Sequence, residues 1–259
     1  MILAAGKGTR MRSDLAKALH PICGEPMLSY PLAAVKGLAC TRVLVVIGHQ
    51  AERIQAVFAN AELEWVVQSQ QLGTAHAVRC ALPKLAGFIG TVLICCGDTP
   101  LLTTETLRSL LKEHFEAEVD LSVLTMVLAE PGSYGRILRD RRGHVTGIVE
   151  AKDAGEGQYG IKEVNTGIYC AKSELLHAVI PAIKNANAQA EYYLTDLVHK
   201  AVGQGWKVET VMAANPQEFL GVNTQEELEG AATIISRRLE EPSRVEGLAW
   251  DDDKSPSFH

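Results

Sequence analysis

The sequence predicts an α/β fold in which helices flank a mostly parallel, Rossmann-like sheet, with a smaller β subdomain beside it. Short apolar runs alternate with segments of helical spacing through the first 118 residues, a rhythm typical of βαβ units. Several of these runs end at glycine or polar residues, where strands open into loops. The rhythm changes after residue 119, where strands and a hairpin follow one another, and this change predicts the smaller subdomain.

The first predicted strand, residues 1–3, opens into a loop that contains two glycines. Gly6 and Gly8 let the backbone turn sharply and bring its N–H groups close to a ligand. Cationic side chains lie within or just after the loop, namely Lys7, Arg10 and Lys17. Glycines with spaced cations after a strand suit a polyphosphate, although the spacing matches neither the P-loop nor GxGxxG. The alternative is an ordinary glycine-rich turn with surface lysines.

Hydrophobic periodicity predicts the other elements of the first half. Helices are expected over 26–38, 51–58, 75–85 and 103–115, and strands over 42–47, 63–68 and 91–96. Thr74 is expected to cap the helix that begins at residue 75, because a threonine hydroxyl can accept from the first turn. Pro31 is expected to kink or delay its helix, because it falls inside the predicted span.

In the second half, strands predominate. They are expected over 120–127, 162–170 and 206–212, with a hairpin over 134–150 that turns around Arg142 and Gly143. Helices are expected over 173–183, 191–202 and 224–239. The tail, residues 241–259, is predicted to be flexible because it combines a low density of apolar residues with an acidic run.

The composition argues against several classes of protein. A net charge of -6 argues against a nucleic-acid partner whose affinity depends on neutralising phosphates. The six cysteines show no metal-ligand spacing, and their mostly apolar surroundings favour buried, reduced thiols. No signal peptide and no run of membrane-spanning length is recognised, so a cytoplasmic location without a membrane partner is expected.

Four loop segments are expected to meet at one edge of the sheet, because open α/β sheets bind ligands outside the carboxyl ends of their strands. These segments are residues 6–10, 48–50, 68–74 and 97–98. Asp98 follows an apolar strand and is well placed for Mg²⁺, which takes one or two carboxylates besides waters and phosphates. A carboxylate that caps the following turn is the alternative. None of His49, His76 and His144 is expected to act as a base.

Eight ordered segments resemble the nucleotidyltransferases that act on sugar 1-phosphates, and among them the uridyltransferase domains specific for N-acetylglucosamine 1-phosphate. The segments are LAAGKGTRM with Lys17, QSQQLGTAHA, GDTPLL, YGRI, IVEAKD, EVNTGIY, EYYLTD and GVN. The resemblance covers roughly residues 2–240 and implies a fold of the nucleotide-diphospho-sugar transferase type. It divides one nucleotidyltransferase domain, residues 1–240, into a nucleotide-binding half (1–118), a mainly sugar-binding half (119–222) and a closing helix (223–240).

The resemblance also implies roles for individual residues. Arg10 and Lys17 would be catalytic and hold the reacting phosphates, while Asp98 and Asn223 would bind Mg²⁺. The residues expected at the nucleotide are Leu3, Ala4, Ala5, Gly6, Gly8, Thr9, Gln68, Gln71, Gly73 and Thr74, of which the two glutamines would read the uracil. Those expected at the sugar are Gly135, Glu150, Asn165, Thr195 and Asn223. Taken alone, Asn165 would be interpreted as a bulge residue and Glu150 as a solvent-facing strand position.

The implied reaction joins UTP and N-acetylglucosamine 1-phosphate into UDP-N-acetylglucosamine and pyrophosphate, with Mg²⁺ as cofactor. A sugar phosphate has a second pKa of about 6 and is already largely an anionic nucleophile at neutral pH, so the reaction needs cations more than a base. A uridylyltransferase for another sugar 1-phosphate, such as glucose 1-phosphate, is one alternative. A non-catalytic sensor of sugar nucleotides is the other. The oligomeric state is not predicted.

The sequence departs from the family pattern at a few positions. Ala16 stands where the family usually has proline, Ala190 where glycine is common and Cys96 where tyrosine is frequent. These changes are expected to affect substrate affinity and the placement of Lys17 more than the type of reaction. The hexapeptide repeats of the family's acetyltransferase half do not occur, so the uridyltransferase activity alone is expected.

Overall fold

A computed structural model describes residues 1–240 and has one nine-stranded sheet at its centre. The strands are β1 (Ile2–Ala4), β2 (Pro21–Ile22), β3 (Glu25–Pro26), β4 (Leu44–Ile47), β5 (Glu64–Val67), β6 (Thr91–Cys96), β7 (Leu121–Val127), β8 (Arg136–Arg139), β9 (Val145–Val149), β10 (Glu163–Lys172) and β11 (Val208–Met212). The helices are α1 (Ser29–Lys36), α2 (Ala51–Val57), α3 (Thr74–Ala81), α4 (Thr104–Glu116), α5 (Ser173–Val179), α6 (Asp196–Gly203) and α7 (Gln225–Glu240). The predicted tail lies outside the described residues.

The central sheet has the strand order β11-β7-β10-β6-β1-β4-β5. Strands β6, β1, β4 and β5 are parallel, as is the pair β7 and β11, whereas β10 runs antiparallel between β6 and β7. The hairpin of β8 and β9 joins the sheet through β10 and is the smaller β extension. The predicted α/β fold with a mostly parallel sheet is therefore confirmed. Both proposed halves contribute strands to this one sheet, and the division near residue 119 stays a prediction.

Helices cover both faces of the sheet, because its central strands are apolar on both sides. On one face, Val45 and Ile47 pack with residues of α1 and α4 such as Leu107. On the other face, Val46 packs with residues of α3, α5 and α6 such as Val78. Among residues 1–240, every helix is too short or too polar to span a lipid bilayer.

Two proline-containing helices differ from their predicted bounds in ways that the proline explains. The helix expected over 26–38 begins at Ser29, so Pro31 lies in its first turn, where an N–H has no helical partner to lose. The helix expected over 75–85 ends at Ala81 and continues as a 3₁₀ turn with Pro83 at its second position. The expected delay at Pro31 is therefore confirmed, and no kink is needed.

Two expectations around residues 74 and 191–202 are wrong, for one shared reason. Tyr192 lies beside the loop that precedes α3: its N–H donates to the carbonyl of Leu72, and its carbonyl accepts from Ala75 N–H, both at 2.8 Å. This pairing keeps the segment extended, so α6 begins only at Asp196. Thr74 is the first residue of α3 rather than its cap, and its hydroxyl accepts from Leu194 N–H at 2.9 Å.

Candidate active site

The loops after β1, β4, β5 and β6 come together at the carboxyl end of the parallel strands. The contacts at two glycines show how closely they pack. A Cβ on Gly48 would lie 2.8 Å from the carbonyl oxygen of Ala5 and 3.1 Å from that of Gln68. A Cβ on Gly97 would lie 2.7 Å from the Cβ of Ala4. The structure therefore brings the four predicted segments to one cleft.

A cluster of charged and polar side chains lies in this cleft, and we call Arg10, Lys17, Asp98 and Asn223 the phosphate cluster. Lys17 Nζ donates to Asp98 Oδ2 at 2.5 Å and to Asn223 Oδ1 at 2.8 Å. Arg10 Nη2 donates to the same Asn223 oxygen at 2.9 Å. The Lys17 side chain is only 12% exposed, so its charge is largely shielded from solvent. Asp98 binds this lysine, and no hydrogen bond from its side chain to the following turn occurs among the described residues.

Lys17 is positioned by the backbone that precedes it. Gly8 has φ +63°, and a Cβ there would lie 2.7 Å from the Cβ of Lys17, so only glycine fits this approach. The side chain of Gln50, from the loop after β4, accepts from Ala16 N–H at 3.0 Å and donates to the Asp14 carbonyl at 2.6 Å. Ala16 has a φ of −53°, which proline can also adopt. Alanine keeps the N–H that Gln50 binds, so the segment before Lys17 is held without proline.

Asn223 reaches the cleft because it precedes α7. Thr224 and Glu227 form a capping box there: Glu227 N–H donates to the Thr224 hydroxyl, and the Glu227 carboxylate accepts from Asn223 and Thr224 N–H. Val222 N–H also donates to the carbonyl of Asp98 at 2.9 Å. Asn223, predicted for both the sugar and the metal, thus lies with Lys17 and Arg10. The T-x-x-E signal for this cap is present in the sequence.

The loop after β5 carries the residues expected at the base. Gln68 is 3% exposed, and its Nε2 lies 3.0 Å from the carbonyl oxygen of Gly73 and 3.0 Å from His76 Nδ1. Gln71 Nε2 donates to the backbone carbonyl of Gln68 at 2.8 Å. Gly73 has φ +111°, and a Cβ there would lie 2.6 Å from the carbonyl oxygen of Tyr192. The predicted base loop is therefore packed directly against the segment that leads to Thr195.

Four of the residues expected at the sugar form a second group. Thr195 Oγ1 donates to Glu150 Oε1 at 2.9 Å, and Glu150 Oε2 lies 3.6 Å from where a Cβ on Gly135 would be. Asn165 N–H donates to the Gly135 carbonyl at 2.9 Å. Burial raises the pKa of the Glu150 carboxyl, although the hydrogen bond from Thr195 opposes this shift.

The interpretation of Asn165 as a bulge residue is confirmed, while its role at the sugar stays a prediction. The pairing of β10 with β7 shifts register between Asn165 and Tyr169. Asn165 Oδ1 accepts from Gly167 N–H at 3.0 Å, which holds the bulge. Cys96, at the end of β6, packs against Gly167, and burial raises the pKa of its thiol. The bulge therefore places Gly167 directly beside Cys96 at the end of β6.

Comparisons with known proteins give one family and one fold. The family described as MobA-like NTP transferase domain matches residues 1–155. The bifunctional protein GlmU of Geotalea uraniireducens is 42% identical over 253 residues, which is 97% of this chain and 55% of that protein. Those of Pelobacter propionicus and Bacillus cytotoxicus are each 46% identical, with the same coverage. The chain thus spans about half the length of the curated relatives it matches.

A solved structure supports the fold. A crystal structure from Bacillus anthracis, described as a glucose-1-phosphate thymidylyltransferase in complex with a sucrose, superposes with a TM-score of 0.71. The match covers 90% of this chain and 93% of the other, at 18% sequence identity. At that identity the likeness concerns the arrangement of strands and helices.

Proposed function

This chain belongs to the family of MobA-like NTP transferase domains, and from that premise we propose that it joins UTP and N-acetylglucosamine 1-phosphate into UDP-N-acetylglucosamine. The observation that carries the proposal is the phosphate cluster, in which two cations and two oxygen ligands meet at the carboxyl end of β1 and β6. The identity of 42–46% to bifunctional GlmU proteins supports the choice of substrates. We propose only this reaction, and not the further activity that the word bifunctional in the relatives' names indicates.

The proposed chemistry is one in-line displacement. An oxygen of the sugar phosphate attacks the α-phosphorus of UTP, so that one P–O bond forms while the bond to the β-phosphate oxygen breaks. Pyrophosphate leaves with the bonding electrons, and no covalent bond to the protein forms. Because the attacking phosphate is already largely anionic at neutral pH, no side chain needs to remove a proton.

The proposed task of Arg10 and Lys17 is electrostatic. Two polyanions repel each other, and a fixed cation between them lowers that repulsion and stabilises the charge that moves onto pyrophosphate. Lys17 is suited to this because it is largely buried, and a buried charge acts more strongly than one in water. Its contacts to Asp98 and Asn223 orient the ammonium in the cleft before a substrate arrives.

We propose Mg²⁺ as the divalent cation, bound by Asp98 and Asn223. The donor set fits, because Asp98 Oδ2 and Asn223 Oδ1 both point to one cationic centre, the Lys17 ammonium. Within residues 1–240 no group of three or more acidic, histidine or cysteine side chains could hold a metal, so the substrate phosphates would complete the shell. When bound, the ion neutralises phosphate charge and fixes the geometry of the triphosphate.

The proposed sugar pocket is built around the carboxylate of Glu150, and Asp153, Asp196 and Arg136 are charged groups near it. The Glu150 carboxylate keeps lone pairs free to accept from sugar hydroxyls, while Thr195 fixes its orientation. Asn165 presents an amide on the bulge of β10. A pocket that hydrogen-bonds a substrate group rejects the analogue that lacks it, because buried polar groups are then left unpaired. We therefore propose a preference for N-acetylglucosamine 1-phosphate over glucose 1-phosphate.

A cytoplasmic location belongs to the same proposal. All six cysteines are free in the structure, but only Cys95 and Cys170 are buried, and Cys23 and Cys40 are exposed, so the expectation of mostly buried thiols is wrong. Free thiols are typical of proteins in a reducing compartment.

The test measures pyrophosphate release from UTP and Mg²⁺, with N-acetylglucosamine 1-phosphate and glucose 1-phosphate in parallel reactions. Release with the N-acetylated sugar alone is expected. Equal release with both sugars would keep the reaction and contradict the assignment of the pocket. No release with either sugar, together with measurable binding of UDP-N-acetylglucosamine, would favour the sensor instead.

A further inference from the structure

The carboxamide of Gln68 has a fixed orientation. The atom 3.0 Å from the Gly73 carbonyl oxygen must be the amide nitrogen, because a carbonyl oxygen can only accept a hydrogen bond. The second amide hydrogen then points to His76 Nδ1, also at 3.0 Å. Both N–H groups of Gln68 are therefore occupied within the protein.

The amide oxygen of Gln68 is the remaining polar atom of this side chain. It accepts no hydrogen bond within residues 1–240, and it is not among the fully buried polar atoms that lack a partner there. It therefore keeps some exposure to solvent, while Gln68 as a whole is only 3% exposed. Gln68 presents a hydrogen-bond acceptor to a ligand and no donor.

His76 completes this arrangement only in one protonation state. Its Nδ1 faces an N–H group of Gln68, so Nδ1 must carry the lone pair, and the ring proton must be on Nε2. Burial lowers the pKa of His76, and the nearby Arg79 cation lowers it further, whereas a backbone hydrogen bond at Gln70 acts in the opposite direction. The neutral ring that the contact requires is therefore the favoured form at neutral pH.

We propose that His76 is a positioning residue that orients the Gln68 amide and thereby selects uracil over cytosine. This inference rests on the proposed function and names how its nucleotide is chosen. Uracil carries a hydrogen on N3, which the free oxygen of Gln68 can accept. Cytosine carries a lone pair at the same position, and it would face that oxygen without a hydrogen bond.

The groups around His76 decide which protonation state of its ring is favoured. The ring of Tyr192 lies 6.0 Å away between centroids, with the Arg79 guanidinium 4.6 Å from the Tyr192 centroid. The Cys80 thiol is 3.9 Å from His76 Nε2, and burial raises its pKa, so it is a neutral neighbour. Arg79 is the charged group among these neighbours, and like burial it disfavours a protonated His76 ring.

The experiment compares two variants of the full chain, His76→Asn and His76→Leu. The side-chain oxygen that asparagine supplies is as many bonds from Cα as Nδ1 and can accept from Gln68, whereas leucine fills the space without an acceptor. The readout is the ratio of kcat/KM for UTP to that for CTP, with N-acetylglucosamine 1-phosphate as the second substrate. The leucine variant is expected to lower this ratio about tenfold, mainly through the KM for UTP, and the asparagine variant to retain most of it.

A pH series gives a second readout. In the wild type, the KM for UTP is expected to rise in acid, because protonation at Nδ1 would place two donors opposite each other. That rise should be absent from His76→Asn. Thermal unfolding of each variant checks that it is folded.

The outcomes separate this inference from the proposed function. Activity with UTP but an unchanged ratio in a folded His76→Leu variant would overturn the role of His76 alone. A loss of the ratio in both variants would also overturn it, because the acceptor would then not be what matters. Absence of any pyrophosphate release by the wild type would overturn the proposed function instead.

Discussion

The phosphate cluster and the loops expected at the base and sugar are held in different ways. In the phosphate cluster, side chains hold one another across 81 to 213 positions of the chain, through one ammonium and one amide oxygen. The base loop and the segment that begins at Tyr192 are instead joined by backbone hydrogen bonds at Leu72 and Ala75. Side-chain contacts can be exchanged for contacts to a ligand, whereas backbone pairing keeps a loop in place. The side-chain contacts of the first region are therefore expected to change more readily than the backbone pairing of the second.

Removal of Lys17 tests this difference where the effect should be largest. Lys17→Ala is expected to lower kcat by about two to three orders of magnitude, because fixed charges dominate phosphoryl and nucleotidyl transfer. Steady-state pyrophosphate release measures it. Lys112→Ala is the matched control, because that lysine is exposed in α4 and makes only a 3.9 Å ion pair with Glu116. Near-normal turnover of Lys17→Ala would remove Lys17 from the proposed chemistry.

Asp98→Asn should affect the metal requirement more than the fold. The variant keeps an oxygen beside Lys17 and loses the carboxylate charge, so the Mg²⁺ concentration for half-maximal rate is expected to rise about tenfold or more. A Mg²⁺ titration at saturating UTP checks this, and isothermal calorimetry of Mg²⁺ with a bound UTP analogue gives a reading independent of turnover. An unchanged titration would mean that Asp98 only orients Lys17.

Gly73→Ala tests the backbone-paired region through stability. The added Cβ would meet the Tyr192 backbone at 2.6 Å, in a left-handed conformation that alanine disfavours. The expected loss in the free energy of unfolding is about 1–3 kcal/mol, measured by urea unfolding. Gly203→Ala is the control, because nothing lies within 4 Å of that site and the residue ends α6. Equal stability of the two variants would show that the loops are not held by this contact.

Glu150→Gln is expected to have the smallest effect on stability and a clear dependence on pH. Burial raises the pKa of folded Glu150 above its usual 4.5, so the folded state binds this proton more tightly than the unfolded state. That stabilisation is present below pH 4.5 and is lost as pH rises through the higher folded value. The variant cannot ionise, so its stability relative to wild type should increase across this window.

The same variant separates stability from binding. The KM for the sugar phosphate is expected to rise about tenfold, because an amide accepts more weakly than a carboxylate. Thermal unfolding from pH 4 to 8 and sugar-phosphate kinetics give the two readings. Glu113→Gln, at an exposed position of α4, is the control for the pH series. A stability difference that does not vary with pH would contradict the buried-carboxyl explanation.

Many elements of the fold were predicted from the local pattern of apolar, polar and turn-forming residues. Strand β6 has the predicted bounds, and the hairpin of β8 and β9 turns where it was expected, with Asp140 N–H donating to the His144 carbonyl. The bounds that were wrong depend on contacts made elsewhere. The Thr74 hydroxyl accepts from Leu194 N–H, and Tyr192 pairs with the base loop, because each has a partner more than a hundred positions away.

The residues of the candidate site also fall into two sets: those that sequence segments indicate and those that only contacts in the fold reveal. Arg10, Lys17 and Asp98 stand in recognisable segments, and their roles stay predictions for the experiments above. Gln50 lies in the predicted loop 48–50 and His76 in the segment QSQQLGTAHA, but the sequence assigned neither a positioning role. Gln50 contacts Ala16 across 34 positions, and His76 contacts Gln68 across eight. Which atoms lie 3.0 Å apart in these pairs is not encoded in spacing along the chain.

The amino-acid sequence alone was sufficient for the alternation of strands and helices, the glycine-rich loop and the family resemblance. These depend on periodicity and short motifs, which are local properties of a chain. The antiparallel insertion of β10, the meeting of Asn223 with Lys17 and the pairing of Tyr192 with the base loop arise only in the tertiary structure. They are set by how all elements pack together, so no local segment specifies them.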